Sequence, residues 1–332
     1  MTAPTVAILI PMMNDWESLT RLIAQIDVQA AALPGAVEVH IMDDFSLPAA
    51  AFAPTVETVR AVHHHRLVRN LGHQRAIAVG LVLLLVRHDY DAVIVMDADG
   101  EDRPLYIPQL VKMFQKTGNI VVARRTRRSE KMPFPLFYWV YKLLFHLFTG
   151  HTIDFGNYCL IPRQHLRSLV YYPGLWNHLA ATIVASRLPT TRVETFRGER
   201  YAGQSKMNFT ALIIHGLSAI SLFVEVVLVR LLITASLLGM AGMMGFSIVV
   251  MLRVFTDLAI PGWATTFGGI LLVITIQSVI IIILLMFYLL QGRSSPQIVP
   301  ARDTLVFLDQ THVVTKESAT HQTSTGANYE ET

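Results

Sequence analysis

Ala92-Val-Ile-Val-Met96 runs without a polar side chain into Asp97-Ala-Asp99-Gly-Glu101-Asp102. A short apolar run of this kind, closed abruptly by charge, reads as a strand buried on both faces. Its neighbours repeat the pattern. Val6-Ala-Ile-Leu-Ile10 is closed by Pro11, Val37-Glu-Val-His-Ile-Met42 runs into Asp43-Asp44, and Ile120-Val-Val-Ala123 runs into a basic cluster. Between them, Trp16, Leu19, Leu22, Ile23 and Ile26 recur at helical spacing, and helical patterns cover His73 to Arg87 and about Leu105 to Gln115. Repeated βα units argue for a mostly parallel sheet covered by helices, an α/β fold. No internal repeat is visible.

In such a sheet ligands bind outside the carboxyl ends of the strands. Two of those ends are acidic here. Asp97 and Asp99 sit two residues apart, on one side if strand geometry persists, with Glu101 and Asp102 close behind. Crowded carboxylates repel one another unless a cation is present, and a hard divalent ion that also grips a diphosphate resolves the crowding. The competing reading, a solvated acidic turn, is the weaker one because a second Asp pair closes another strand. Asp43-Asp44 fits either contacts to a nucleobase and ribose or a cap on the loop that follows. The chain has no G-x-G-x-x-G after the first strand and no G-x-x-x-x-G-K-[ST], which disfavours dinucleotide binding and removes a P-loop.

Two basic elements stand apart from these. Arg124-Arg-Thr-Arg-Arg128-Ser-Glu-Lys131 follows a strand, and Arg197-Gly-Glu-Arg200-Tyr-Ala-Gly-Gln-Ser205-Lys206 comes later. Each suits phosphate oxygens or anionic lipid headgroups, and the two roles are compatible. His63-His-His65 would alternate between faces of an extended segment, which favours sheet packing or a surface role over a metal tract. Cys159, the one cysteine, lies in the apolar run Asn157 to Ile161 and reads as a buried structural thiol.

Of the 332 residues, 52% are hydrophobic and 15% charged, against roughly 25% charged in soluble domains. Mean hydropathy is +0.45. The excess is concentrated in two uncharged stretches, Leu231–Leu252 and Ala264–Leu290, each longer than the roughly 18 residues that mark a membrane-spanning helix. The sparse charge between them, Arg253 and Asp257, contrasts with Lys206 and Arg230 before and Arg293 and Arg302 after. That bias predicts a hairpin with both ends in the cytoplasm. The opening residues lack a basic n-region, so no signal peptide is expected. The predicted organisation is a domain over 1–206 with an interfacial helix at about 134–149, an amphipathic helix over 207–229, and a transmembrane hairpin over 230–291. A cytoplasmic tail over 292–332 completes it, disordered from about Thr315. A net charge of +3 argues against a nucleic-acid partner.

Taken in order, these residues resemble a family. Pro11 and Asn14, Asp43-Asp44-Phe-Ser46, Arg69-Asn-Leu-Gly72, Met96-Asp-Ala-Asp99 with Asp102 and Pro104, Asp154-Phe-Gly156 and Arg200-Tyr-Ala-Gly203-Gln-Ser-Lys206 are similar to family 2 glycosyltransferases of the GT-A, Rossmann-like fold. The later elements narrow the likeness to polyprenyl-phosphate glycosyltransferases. The resemblance implies that Asp97, Asp99 and Glu101 hold Mg²⁺ or Mn²⁺. It places Pro11, Asn14, Asp43, Asp44 and Asp97 at the nucleotide, and Arg124, Arg128, Arg200, Ser205 and Lys206 at the donor diphosphate or acceptor phosphate. The catalytic set it implies is Asp99, Arg124, Arg128, Arg200 and Lys206. It departs from the family at Glu101, where Gln is common, at Met12-Met13 and Asp15 in the first loop, and at Phe45, where Gly is usual.

The implied reaction is inverting transfer of one sugar from a UDP- or GDP-sugar to polyprenyl phosphate, by an enzyme of the cytoplasmic membrane. The implied partners are the donor, the lipid, the membrane, a second copy of the chain and a flippase. Two alternatives compete: a processive polysaccharide synthase, whose Q-x-x-R-W element is absent, and a non-catalytic nucleotide-sugar-binding adaptor.

Overall fold

The computed structural model describes residues 3–48, 52, 54–87, 89–125, 143, 145–203, 216–256, 262–294 and 296–315. The described chain divides into two units. One lies within Met1–Trp139, His151–Leu222 and Ile298–Thr332, and the other within Val140–Gly150 and Phe223–Gln297.

The first unit is built on eight strands: β1 (Val6–Met12), β2 (Val37–Asp43), β3 (Ala61–Leu67), β4 (Ala92–Val95), β5 (Ile120–Arg125), β6 (Phe155–Pro162), β7 (Thr190–Thr195) and β8 (Leu308–Thr315). They lie in one sheet in the order β7-β5-β6-β4-β1-β2-β3-β8. β1 to β4 are mutually parallel, β6 runs against both its neighbours, and β8 runs against β3. Helices α1 (Trp16–Ala30), α2 (His73–Arg87), α3 (Ile107–Thr117), α4 (Arg163–Val170) and α5 (Leu179–Ser186) cover the sheet.

β1 is buried along its whole length, as its unbroken apolar sequence requires. It continues through Pro11, which the sequence reading placed at its end. Leu9 accepts from the Met96 N–H at 3.1 Å, so Pro11, two residues on, faces the same side. There β4 has already stopped at Val95, and the missing proline N–H breaks no ladder bond. α1 places Leu19, Leu22, Ile23 and Ile26 against one face. α2 is buried from Ala76 to Leu84, between the other face and an outer layer that includes Leu166, Leu175 and Leu179.

β3, β7 and β8 were not anticipated as strands. β3 carries His63-His64-His65, and its sheet-packing role follows from register: His63 pairs with His40, and His65 with Met42 and Thr311. On one face, Glu38 accepts hydrogen bonds from Tyr90 and, at 3.1 Å, from His63. Tyr90 Oη meets His40 at 2.8 Å, His40 meets His65 at 2.9 Å, and His65 meets Thr311 at 3.0 Å. The His63 bond, opposed by burial and aided by Tyr90, holds the Glu38 carboxyl down to about 2. A folded-state value below the ordinary 4.5 contributes stability above that pH, lost as pH falls toward 2. Denaturant melts of the detergent-solubilised chain should lose up to about 3 kcal/mol across that window. Glu38→Gln should flatten the slope, and an unchanged slope would remove Glu38 as its source.

The region read as a tail therefore supplies a strand. β8 and the turn before it, with Thr304 fully buried and Leu305 and Phe307 packed on the core, close the β3 edge of the sheet.

The second unit is dominated by α6 (Val224–Phe255) and α7 (Trp263–Ser294), which contain the two uncharged stretches. They pack through small residues: a Cβ on Gly242 would come within 2.7 Å of Thr275 Oγ, and one on Gly239 within 3.2 Å of Ser278. The Thr275 and Ser278 hydroxyls donate to carbonyls of their own helix at 2.8 and 2.9 Å, which suits helices in an apolar medium. Leu237, Met240, Ile274 and Ile281 are exposed. Both helices are long and apolar enough to cross a membrane. Of the interfacial stretches, residues 143, 145–149, 216–221 and 224–229 are described and helical, the last of these within α6.

Candidate active site

The carboxyl ends of β1, β2, β4, β5 and β7 open on one end of the sheet, and β6 begins there. This brings the two acidic strand ends and the described part of both basic elements to one place. Asp97 and Asp99 lie just past β4. The Asp97 N–H donates to buried Asp102 at 3.1 Å, and the Glu101 N–H donates to Asp99 at 3.0 Å, which curls the loop back on itself.

The segment around Arg200 is clamped onto that loop. The Tyr201 N–H donates to the Asp99 carbonyl at 2.9 Å, and the Gly198 N–H to the Glu101 carbonyl at 2.8 Å. Gly100 is required twice over, since its φ is +89° and a Cβ there would sit 2.5 Å from the Tyr201 ring. Arg200 then donates to Asp99 at 2.7 Å, and Arg197 grips Glu101, with its Nε at 2.9 Å.

On the other side His73, in the first turn of α2, lies 3.1 Å from Asp97. Asn157 on β6 reaches Asp97 at 3.4 Å and His73 at 3.0 Å. Gln74 donates to Asn157 at 2.9 Å and accepts from the Leu179 N–H at 2.7 Å. The sequence reading passed over His73 and Asn157, and gave Arg197 only as part of a basic segment suited to phosphate. The available signal was position, since His73 directly follows Gly72 at the start of a helix aimed at the acidic strand end.

Electrostatics match this crowding. Burial, with the charges of Asp97 and Glu101, raises the Asp99 carboxyl above the ordinary range despite the Glu101 N–H and Arg200. Burial pulls His73 down, but Asp97 outweighs it and the imidazole is raised. An anionic pocket that disfavours its own charge suits a cation, and Asp97 and Asp99 carry oxygen donors that could hold a hard divalent ion. Glu101, the third expected ligand, is held by Arg197, as Asp99 is by Arg200.

The nucleotide-side candidates form a second, interlocked group. Asp44 caps the loop into α2, accepting from the Leu71 and Gly72 N–H groups at 2.6 and 2.8 Å. Of the two readings of Asp43-Asp44, the loop cap describes Asp44. Asp43 accepts from the Ser46 N–H at 2.8 Å and meets His64 at 3.3 Å. Burial pushes its carboxyl up, but His64 and Ser46 outweigh this and hold it below the usual range. Asn14 ties the first loop to the second: its N–H donates to Ser46 Oγ at 2.9 Å, and its Oδ1 accepts from the Leu47 N–H at 2.8 Å. Pro11 is buried within β1. At the β5 end, Arg124 pairs with Asp154 at 3.2 Å and Glu194 at 3.3 Å. Arg128, Ser205 and Lys206 lie outside the described residues.

His40, His63 and His65 bring ligating atoms within 4.8 Å of one another. The His40 and His63 rings nevertheless stack with centroids 4.2 Å apart and planes 2° apart. Nitrogen lone pairs lie in the ring plane, so these two run parallel and do not converge on one ion. The cluster is a hydrogen-bonded part of the sheet.

The sequence profile of Glycosyl transferase family 2 matches residues 7–169, the stretch from β1 to α4. That stretch is a family 2 glycosyltransferase domain with the GT-A fold. It is similar to an uncharacterized glycosyltransferase, YkcC, of Bacillus subtilis (strain 168), 27% identical over 62% of this chain and 65% of that one. The chain thus spans slightly less than two thirds of that relative. An undecaprenyl-phosphate 4-deoxy-4-formamido-L-arabinose transferase of Salmonella choleraesuis (strain SC-B67) is 26% identical over 78% of this chain and 79% of its own. Among solved structures, mannosyl-3-phosphoglycerate synthase from Rubrobacter xylanophilus aligns with a TM-score of 0.46 at 15% identity, covering 80% of each chain.

Proposed function

We propose that this chain transfers one sugar, with inversion, from a UDP- or GDP-sugar to a polyprenyl phosphate such as undecaprenyl phosphate. The observation that carries the reading is the Asp97–Asp99 pair at the β4 end, met by Arg200 and His73, in a chain that also bears two long apolar helices. The named Salmonella relative, matched over most of both chains, supports the acceptor class.

Asp97 and Asp99 would hold Mg²⁺ or Mn²⁺ with the donor's diphosphate, and the ion would offset charge on the departing nucleoside diphosphate. Arg200, held at Asp99, stands where it can turn to a phosphate oxygen. The acceptor, a phosphate monoester with a second pKa of about 6, is already largely a dianion at neutral pH. It needs alignment and charge screening rather than a strong base. Arg124, Arg128, Ser205 and Lys206 are the groups proposed for that phosphate.

Connectivity supports this membrane placement. β8 belongs to the same sheet as β1 to β7, so the chain entering α6 and the chain leaving α7 both join the glycosyltransferase domain. With α6 and α7 crossing a bilayer, both ends of the hairpin would return to one side, and the charge bias supports the cytoplasmic side.

The test is a panel of UDP- and GDP-sugars offered to the purified full-length chain with Mg²⁺ or Mn²⁺ and a short-chain polyprenyl phosphate. A monoglycosylated lipid phosphate that disappears with chelator is expected. Nucleotide-sugar binding without transfer would establish the adaptor, and a polymeric product the processive synthase.

A further inference from the structure

Phe45 is a bulky residue in a conformation that suits glycine. Its φ is +66°, in the left-handed region that costs an L side chain energy. It is held there by its neighbours: the Ser46 N–H is bonded to Asp43, the Ser46 hydroxyl accepts from Asn14, and the Leu47 N–H is bonded to the Asn14 side chain. Glycine would satisfy the same turn without strain. Something other than the turn keeps an aromatic ring there.

Arg66 stands beside it. It is the last residue but one of β3, opposite Asp43 in the strand register, and its guanidinium lies 5.2 Å from the centre of the Phe45 ring. One terminal nitrogen donates to the Ser46 carbonyl at 3.3 Å. Nε is buried with no partner among the described residues. A guanidinium has five N–H donors and no acceptor, and a buried donor left unmade is costly. The pair is an aromatic face backed by unspent donors.

Its position suits one part of the donor. Phosphates held at Asp97 and Asp99 would sit at the β4 end. On one side of β4 lies β6, which runs the opposite way, so the crevice continues over the carboxyl ends of β1 and β2 on the other. Two strand spacings, about 10 Å, lead from β4 to β2, comparable to the reach of a nucleoside diphosphate from its phosphates to its base. Phe45 follows β2.

Resting on the reading that the chain uses a nucleotide-sugar donor, we propose that Phe45 and Arg66 together read its base, Phe45 by stacking and Arg66 by donating to a carbonyl oxygen. Uracil and guanine present such an oxygen, and adenine presents an amino group in its place. The site is thereby selective for uridine or guanosine over adenosine diphosphate sugars.

The experiment is calorimetric titration of UDP, GDP and ADP, with Mg²⁺, into the detergent-solubilised full-length chain and its variants, with a melting temperature for each. The wild type should bind UDP or GDP at least roughly tenfold more tightly than ADP, the scale of a hydrogen bond to a charged group. Arg66→Met should bring the ratio close to one through loss of the preferred nucleotide, with ADP affinity unchanged. Phe45→Gly should weaken the preferred nucleotide by roughly tenfold, the scale of base–aromatic stacking. Its melting temperature should be equal or higher, since glycine relieves the backbone. Arg66→Lys, which keeps a charge against Phe45, takes the place of Arg66→Met if that variant does not fold, and should also lower the ratio.

A Phe45→Gly variant that binds as well as the wild type overturns the stacking role. An Arg66 variant with an unchanged ratio, or with equal loss of UDP and ADP, overturns the reading of the base. A wild-type chain that binds none of the three overturns the donor assignment itself.

Discussion

Asp99→Asn is expected to cut sugar transfer by at least about a hundredfold, the scale for removing an electrostatic stabiliser of the transition state, while leaving the fold intact. The second half of that expectation comes from the ligand-free electrostatics. Burial and the neighbouring carboxylates already work against the Asp99 charge, so an uncharged isostere relieves repulsion as it removes a partner from Arg200. The melting temperature should stay level or rise. Nucleotide affinity in excess Mg²⁺ should fall with the rate, because the same oxygen would hold the ion. Glu101→Gln is the internal control. Glu101 is bound by Arg197, and its loss should cost far less turnover than loss of Asp99. Transfer rates for the two variants, measured with a short-chain acceptor, decide between them. Near-wild-type turnover in Asp99→Asn, or full wild-type activity in excess chelator, would sink the metal assignment. A larger loss in Glu101→Gln would restore Glu101 to the ligand set.

The elements that position Asp97 and Asp99 were legible because a strand buried on both faces must be apolar at every position. β1, β4 and β5 therefore announce themselves, β2 shows through its alternating Val37, Val39 and Ile41, and the charged ends of β2, β4 and β5 mark the crevice. β3 hides for the opposite reason. Its Ala61-Val-His-His-His-Arg-Leu67 sequence looks polar, and only the ring stack of His40, His63 and His65, with Glu38 and Tyr90 as partners, makes its burial tolerable. β7 is exposed at alternate positions and carries little apolar signal.

Within the site, residue types were readable but pairings were not. Arg200 and Glu101 were both candidates, yet that Arg200 meets Asp99 while Arg197 takes Glu101 depends on the clamp of Tyr201 and Gly198 over Gly100. His73 reaches Asp97 through the register of α2 against β1. Phe45 was readable as a departure from the family pattern, and its backbone conformation accounts for the usual Gly.

The C-terminal strand changes how the membrane hairpin has to be tested. A chain cut after residue 297 loses more than a tail. It loses seven strand pairings with β3, the stacking of Phe307 on Trp176 at 5.8 Å, and the Phe307 face that carries Arg69 at 5.9 Å. Removing a buried aromatic contact costs about 3–5 kcal/mol. At roughly 2–4 °C per kcal/mol, that chain should melt about 10 °C lower and bind nucleotide poorly, whatever the role of the hairpin. The informative variant replaces 224–297 with a long Gly/Ser linker and keeps 298–315. It should retain the melting temperature and nucleotide affinity of the wild type. It should lose transfer to long-chain polyprenyl phosphate in vesicles and keep transfer to a short, water-soluble acceptor. The reason is geometric: a lipid acceptor leaves its tail in the bilayer and its phosphate at the surface, and a site in a water-soluble domain must be held against that surface. Equal loss on both acceptors, with the domain folded, would mean that α6 and α7 complete the site itself, and the positional role would fall.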